Sequence, residues 1–307
     1  MDMRFAPTAL FPSLLLGPSL LLGPSLLLCL ALLLLYAPAS AAPLSLQKVQ
    51  KLTDGRGFTI VREGPFLVIG DESPQRVKQR VEGTIRWART RLKASYFPRD
   101  PAGITIWLFA NKRSYERHTR LFFGDTPFTP FGYYSPDHQA LIMNISTGGG
   151  TLVHEMVHPY IAENFPDCPS WFNEGLGSLY EQSGERDNQI VGRTNWRLDG
   201  LQQAIRGGEV PSFRTLTHTT TVQFYDHDPG TNYSQARYLL YWLQEQGQLQ
   251  AYYRAFRAGH KADPTGYTTL KAVMGVQDMG VQDMGVQDMA AFQKRWERWV
   301  LGLRFGG

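Results

Sequence analysis

Two histidines and a glutamate within residues 151–158, which read Thr-Leu-Val-His-Glu-Met-Val-His, have the spacing of a metal site. His154 and His158 are four residues apart, so on a helix they share one face, one turn apart, and can reach one ion. Glu155 would then lie beside the ion, where it can take a proton from an activated water. The flanking residues are apolar. They predict a buried helix, in which such polar groups are costly without a partner.

A catalytic zinc site has three protein ligands and one open position, so a third ligand is required. Residues 169–181 read Pro-Ser-Trp-Phe-Asn-Glu-Gly-Leu-Gly-Ser-Leu-Tyr-Glu, and their Pro-Ser start is typical of the beginning of a helix. Glu174 is the candidate, because it would lie in the first turns of an otherwise apolar helix. Gly175 and Gly177 would let another backbone approach this helix closely.

The pairing of His-Glu-x-x-His with Trp-Phe-Asn-Glu-Gly-Leu resembles the gluzincin zinc metallopeptidases. The likeness is closer to the small bacterial proteins termed peptidase MA-like than to the M1 aminopeptidases, and it covers about residues 131–305. It implies one Zn²⁺ ion held by His154, His158 and Glu174. It also implies a supporting carboxylate seven residues after Glu174, where Glu181 stands. Residues i and i+7 share a helix face, so Glu181 could hold a ligand histidine by its other nitrogen.

A second segment of the chain also resembles the gluzincins. Residues 233–243 read Tyr-Ser-Gln-Ala-Arg-Tyr-Leu-Leu-Tyr-Trp-Leu. In gluzincins a tyrosine just before such a helix donates a hydrogen bond to the oxyanion, and Tyr233 matches that position. A phenol at a helix start can stabilise charge that appears only in the transition state. The alternative is that Tyr233, one of 14 tyrosines, only packs.

The sequence departs from the M1 aminopeptidases upstream of His154. It has no Gly-x-Met-Glu-Asn segment, which in those enzymes holds the free amino end of the substrate. In its place lies a predicted strand at 139–144, which could pair with an extended peptide by strand addition. Ala140, Leu141 and Ile142 are therefore candidate substrate-binding residues, and an endopeptidase is favoured over an aminopeptidase.

The predicted function is a zinc peptidase whose partner is a peptide or protein substrate. Glu155 would act as the general base for an attacking water, while zinc and Tyr233 would stabilise the oxyanion. Two alternatives remain open. One is a zinc-stabilised, non-catalytic protein that binds peptides or proteins with a peptidase-like fold. The other is that His154 and His158 are core residues without a metal.

The amino-terminal residues are typical of a secretory signal. Residues 26–35 read LLLCLALLLL, and small residues follow at 37–42. They predict a signal peptide at 1–41 and a secreted or periplasmic protein. The unbroken apolar stretch is shorter than the roughly 20 residues that span a bilayer. No stable membrane span is therefore expected after cleavage, although an uncleaved anchor is an alternative.

The composition of the 307-residue chain is that of a folded globular protein, with 43% hydrophobic and 19% charged residues. Its 31 basic and 27 acidic residues are scattered and form no block of like charge. We therefore expect no nucleic-acid partner. Cys29 would leave with the signal peptide, so Cys168 would be the single thiol of the mature chain and no internal disulfide is expected.

The order of the predicted elements favours an α+β protein, with strands first and helices second. Strands are predicted within 58–70, 104–109, 131–134 and 139–144, and early helices at 74–94 and 111–122. Later helices are predicted at 151–163, 169–183, 195–206, 232–247, 249–258 and 290–303. The gluzincin resemblance implies one domain at 42–307. It would have a mixed or antiparallel sheet lobe that includes the active-site helix (about 55–165) and a mostly helical lobe (about 166–307).

Overall fold

The computed structural model describes residues 44–275 and 289–305 and shows an α+β protein. The predicted signal peptide at 1–41 lies outside the described residues. Among the described residues, no helix has both the length and the apolar character that crossing a bilayer requires.

Five strands form one mixed sheet in the order β1-β2-β3-β5-β4. Strands β2, β3 and β5 are parallel, and β1 and β4 pair antiparallel at the two ends. The parallel strands are buried along their whole length, as expected where both faces of a sheet are covered. The strands are β1 (Thr59–Glu63), β2 (Phe66–Gly70), β3 (Thr105–Phe109), β4 (Gly132–Ser135) and β5 (Ala140–Asn144).

Apart from the helix at Leu46–Thr53, which the sequence did not predict, the helices of the amino-terminal half agree with the sequence prediction. The predicted helix at 74–94 is one continuous helix with a π-helical segment at Val81–Arg86. The side chain of Asn111 caps the next helix, because it accepts a hydrogen bond from the Ser114 amide at 3.0 Å. The helices are α1 (Leu46–Thr53), α2 (Pro74–Arg80), α3 (Trp87–Ser95) and α4 (Lys112–Phe123).

The carboxyl-terminal half is mostly helical and contains one small hairpin. Its helices are α5 (Gly149–Asn164), α6 (Ser170–Leu179), α7 (Arg197–Gly207), α8 (Phe213–Thr217), α9 (Thr221–Asp226), α10 (Pro229–Glu245), α11 (Leu249–Gly259), α12 (Tyr267–Val273) and α13 (Met289–Gly302), and the hairpin strands are β6 (Ser183–Arg186) and β7 (Gln189–Gly192).

The predicted helix at 169–183 is too long, because α6 ends at Leu179 and the chain then enters the β6–β7 hairpin. Asp187 and Asn188 at its turn have positive φ angles of 51° and 64°. Positive φ at both central residues is the geometry of a two-residue hairpin turn, and Asp and Asn tolerate it better than most residues. The hairpin therefore depends on local turn chemistry that the helical prediction overlooked.

The sheet has a hydrophobic core on each face. Alternate residues of β3 point to opposite sides, with Ile106 and Leu108 in one core and Trp107 and Phe109 in the other. The first core continues into the buried residues of α5, α6 and α10. The second is covered by α1 and α4. The helix with the two candidate histidines thus packs on the sheet face shared with α6 and α10.

Candidate metal centre

Helix α5 carries His154 and His158 from the sheet core towards α6. Its Leu152, Met156 and Val157 are fully buried in the core, and they hold the helix against the sheet by removing apolar surface from water. His154 is only 7% exposed. The i, i+4 spacing places the two imidazole rings with their centroids 4.9 Å apart.

Helix α6 brings Glu174 to these histidines, and two glycines allow its close approach. A Cβ at Gly175 would lie 3.2 Å from the backbone carbonyl carbon of Ala236 in α10. A Cβ at Gly177 would lie 3.0 Å from the His154 ring. The expected close approach of another backbone is confirmed at Gly175, whereas at Gly177 the near neighbour is the side chain of a candidate ligand.

The three predicted ligands come together in one buried cluster. The Nε2 atom of His154 lies 3.2 Å from Oε2 of Glu174, and Nε2 of His158 lies 3.9 Å from Oε1 of the same carboxylate. One donor atom from each residue lies within 4.8 Å of the others. Two imidazoles and a carboxylate in this arrangement could hold a metal ion.

The second nitrogen of each histidine faces an oxygen acceptor. Nδ1 of His158 lies 3.0 Å from Oδ1 of Asn173, and Nδ1 of His154 lies 3.2 Å from Oε1 of Glu181. The latter contact is not aligned as a full hydrogen bond. An acceptor at Nδ1 favours the tautomer in which Nε2 keeps its lone pair for a metal. Both imidazoles are therefore oriented as metal ligands.

Glu181 lies behind His154, but the predicted reason is wrong. We expected it on the same helix face as Glu174, whereas it follows the end of α6 at Leu179. Burial alone would raise the pKa of Glu181, but its contacts with His154 and Arg197 outweigh this and lower the pKa to about 2. Arg197 forms two hydrogen bonds with this carboxylate, at 2.8 and 3.0 Å. Glu181 is thus held as an anion next to the candidate ligand.

The two histidines are surrounded by buried or nearly buried carboxylates. Burial opposes ionisation of Glu174, but nearby His158 and His154 outweigh it and lower its pKa to about 2. Burial would lower the pKa of His154, yet its contacts with Glu174 and Glu181 raise it overall. The raised pKa favours the protonated imidazole of His154, whose positive charge balances these carboxylates; a bound divalent ion would take the place of that proton.

Glu155 lies beside the three candidate ligands, as its position in the sequence predicted. Its Oε2 accepts a hydrogen bond from the Tyr134 amide at 2.9 Å and lies 3.6 Å from Nε2 of His158. Burial raises the pKa of Glu155, and the neighbouring His154 and His158 only partly counteract this. A carboxylate with a raised pKa next to a metal site is suited to proton transfer.

The predicted peptide-pairing role of Ala140, Leu141 and Ile142 is wrong. These residues are in β5, which is paired with β3 on one side and β4 on the other, and all three are fully buried. Strand β4 is instead the outer strand among the described residues. The sequence predicts a hairpin here, but strand order in the sheet depends on long-range pairing, so the prediction assigned the wrong arm to the edge.

Strand β4 points part of its backbone away from the sheet. The Asn144 amide donates a hydrogen bond to the Phe131 carbonyl, so these two residues form a hydrogen-bonded pair. Hydrogen-bonded and non-hydrogen-bonded pairs alternate along an antiparallel ladder, and Tyr134, opposite Leu141, lies three residues further along the strand. Tyr134 therefore occupies a non-hydrogen-bonded pair, with its N–H and C=O directed outward. Its amide donates to Glu155, which places the outer edge of the sheet directly beside the candidate base.

Tyr233 lies near Glu174, although its place in the helix differs from the prediction. It was expected just before the helix, whereas α10 begins at Pro229 and Tyr233 lies inside it. Burial raises the pKa of Tyr233, and the Glu174 carboxylate raises it further. Its ring is 5.1 Å from the guanidinium of Arg197 and 6.2 Å from the ring of Tyr225.

Sequence reasoning missed Tyr225, whose hydroxyl donates a hydrogen bond to Oε1 of Glu174 at 2.5 Å. It belongs to α9, which has only six residues and therefore shows no helical periodicity. The signal that could have located this helix is the capping box at its start, formed by Thr220 and Gln223. No sequence signal connects Tyr225 with Glu174, because the contact depends on how α9 packs.

No model of a known protein family matches the chain, and a search of characterised proteins finds no match either. The function must therefore be argued from the residues of the site and from their geometry.

Proposed function

We propose that the chain is an exported, gluzincin-type zinc peptidase that hydrolyses peptide bonds. The observation that supports this most strongly is the convergence of His154, His158 and Glu174 with Glu155 beside them. Two imidazoles and one carboxylate suit zinc, and three protein ligands leave a position open for chemistry. The acceptors at Asn173 and Glu181 fit such an ion, because they direct both Nε2 lone pairs towards it.

We assign one catalytic role each to the bound zinc, to Glu155 and to Tyr233. Bound zinc would supply the Lewis acidity that polarises the scissile carbonyl. Glu155 would accept a proton from the attacking water and pass it to the leaving amine, and the Tyr134 amide would fix the orientation of its carboxylate. Tyr233 would donate a hydrogen bond to the oxyanion as negative charge develops.

The outer edge of β4 supports an endopeptidase rather than an aminopeptidase. An extended peptide can add to an outer strand through backbone hydrogen bonds, and this edge lies next to Glu155 through the Tyr134 amide. A substrate aligned along β4 would pass the base as a continuous chain, without a pocket for a free amino end. This replaces the earlier assignment of substrate binding to β5.

The decisive experiment combines metal analysis with peptide cleavage on the chain from residue 42 to 307. We expect the purified protein to contain one zinc ion, to cleave peptides from a diverse library, and to lose cleavage after chelation. Glu155→Gln should retain zinc and lose roughly 10²- to 10⁴-fold in kcat, the usual contribution of a general base.

Glu163→Gln is the matched control, because Glu163 lies on the same helix and its exposed carboxylate pairs with Arg99. It should cleave peptides like the wild type. Equal activity of Glu155→Gln and the wild type would refute the mechanism. A zinc-loaded wild type that cleaves none of the peptides would instead support a zinc-stabilised binding protein.

A further inference from the structure

The two oxygens of Glu174 have different partners. Oε2 faces Nε2 of His154 at 3.2 Å, while Oε1 accepts the short hydrogen bond from Tyr225 at 2.5 Å. The next group to Oε1 is Nε2 of His158 at 3.9 Å, which is too distant for a hydrogen bond. The contact with Tyr225 is thus shorter than those with His154 and His158, and it restrains the rotation of this carboxylate about its last bond.

Helix α9 holds Tyr225 firmly in this position. Phe224 is fully buried and packs on the ring of Tyr233, with centroids 5.2 Å apart. The side chain of Asn232 in α10 donates hydrogen bonds to the carbonyls of Phe224 and His227, at 3.0 and 2.7 Å. These contacts attach the end of α9 to α10 on both sides of Tyr225, so the phenol does not depend on a free loop for its placement.

Tyr225 and Tyr233 differ in what their hydroxyl groups can do. A phenol has a single proton to donate, and that of Tyr225 is already donated to Glu174 in a charge-assisted hydrogen bond. The hydroxyl of Tyr233 also interacts with Glu174 and with Tyr225. The short, aligned bond to the carboxylate is that of Tyr225, so Tyr233 is the better placed of the two to donate to an oxyanion. Tyr225 as a whole residue is 39% exposed, while its hydroxyl contacts the carboxylate.

We propose that Tyr225 is a positioning residue that holds Glu174 in the orientation required for metal binding. This assignment rests on the metal site of the proposed function and adds a residue that the family resemblance does not supply. Tyr225 acts through Glu174, so its loss should weaken metal binding itself. Tyr233, in contrast, should affect turnover.

The test measures zinc affinity by competition with a chromogenic chelator in the wild type, Tyr225→Phe and Tyr233→Phe. Tyr225→Phe keeps the ring that packs on Phe224 and Tyr233 and removes only the hydroxyl. We expect its zinc affinity to fall roughly 10-fold, the lower end of what loss of an outer-shell partner costs. Tyr233→Phe should lose much less zinc affinity than Tyr225→Phe. The visible absorption of the Co²⁺-substituted protein, which reports ligand geometry, should change only in Tyr225→Phe.

The matched control is Tyr241→Phe, on the far end of α10, where the ring packs on Trp299 with centroids 5.5 Å apart. It should match the wild type in both measurements, and thermal unfolding of the metal-free proteins should show that all variants are folded. Equal zinc affinity of Tyr225→Phe and the wild type would overturn the assignment, whether or not turnover fell. A wild type that binds no zinc would overturn the proposed function as well.

Discussion

At the scale of single residues, the candidate metal centre depends on the groups behind its proposed ligands as much as on those ligands. Asn173 and Glu181 occupy the Nδ1 sides of His158 and His154. Such outer partners fix both the tautomer and the ring orientation of a ligand histidine. Asn173 precedes Glu174 directly in the chain, so one turn of α6 supplies both a ligand and the group that orients another ligand.

Two substitutions of Asn173 distinguish the effect of its acceptor oxygen on zinc affinity from the effect of its size. Asn173→Ala removes the acceptor for His158 and should lower zinc affinity roughly 10- to 100-fold. Asn173→Asp keeps an acceptor oxygen at the same distance and should retain affinity close to the wild type. Isothermal titration of the metal-free proteins with zinc would measure both. An Ala variant that binds zinc as tightly as the Asp variant would contradict the role given to Asn173.

Part of the site could be predicted from the sequence because part of it is local. The i, i+4 spacing of His154 and His158 is a property of one helix and is independent of the rest of the fold. Glu174 was found through its apolar context and family resemblance. Tyr225 is 51 residues from Glu174 in the chain, and its contact exists only after α9 packs on α10. No sequence pattern predicts a contact between two residues so far apart in the chain.

At the scale of secondary-structure elements, the first turn of α5 packs against the residues that follow the end of α6. A Cβ at Gly150 would lie 2.0 Å from the backbone carbonyl oxygen of Glu181, so only glycine fits there. The contact brings the start of α5 to the residue that supports His154. The packing of these two segments is therefore part of the metal centre.

The neighbouring glycine makes this packing testable. Gly150→Ala should lower the free energy of unfolding by about 2–3 kcal/mol, because the added methyl group meets a backbone atom that cannot easily move. Gly149→Ala is the control, since its Cβ would contact Thr84 at an ordinary 3.5 Å and alanine favours a helix by up to about 1 kcal/mol. Urea unfolding would measure both. Equal stability of the two variants would show that the segments are not tightly packed.

The sequence predicted long elements well and their spatial order poorly. Continuous apolar strands such as β3 and periodic helices such as α13 have strong local signals. The position of β5 inside the sheet was missed, because the hairpin pattern is identical whichever arm pairs with β3. The β6–β7 hairpin was missed because its strands are only four residues long and β6 begins shortly after the end of α6 at Leu179.

At the scale of the whole molecule, the core is large and does not depend on the metal. Two buried hydrophobic clusters cover the faces of the sheet, and one of them runs from the strands through α5 and α6 to α13. Domains that unfold without zinc are small and lack such cores. We expect zinc to stabilise the folded chain only through binding to it, and the chain to fold without the metal.

Removing the metal should therefore leave the mature chain folded but less stable. Zinc at about 100 times its Kd would add about 2.7 kcal/mol to the free energy of unfolding, and a chelator should remove this amount. Far-UV circular dichroism during heating would show one cooperative transition in both states, at a lower temperature after chelation. Loss of helical signal at room temperature on chelation would contradict this expectation.

The hydrogen bond between the Tyr134 amide and Glu155 also limits how another strand can align on β4. An added strand needs donors and acceptors in alternation along its partner, and at Tyr134 the donor is already in use. A carbonyl group brought to that position would find no amide and would remain unpaired. This interruption disfavours the registers that bring a carbonyl group to Tyr134 and leaves the others unaffected. It therefore restricts the register in which another strand can pair with β4.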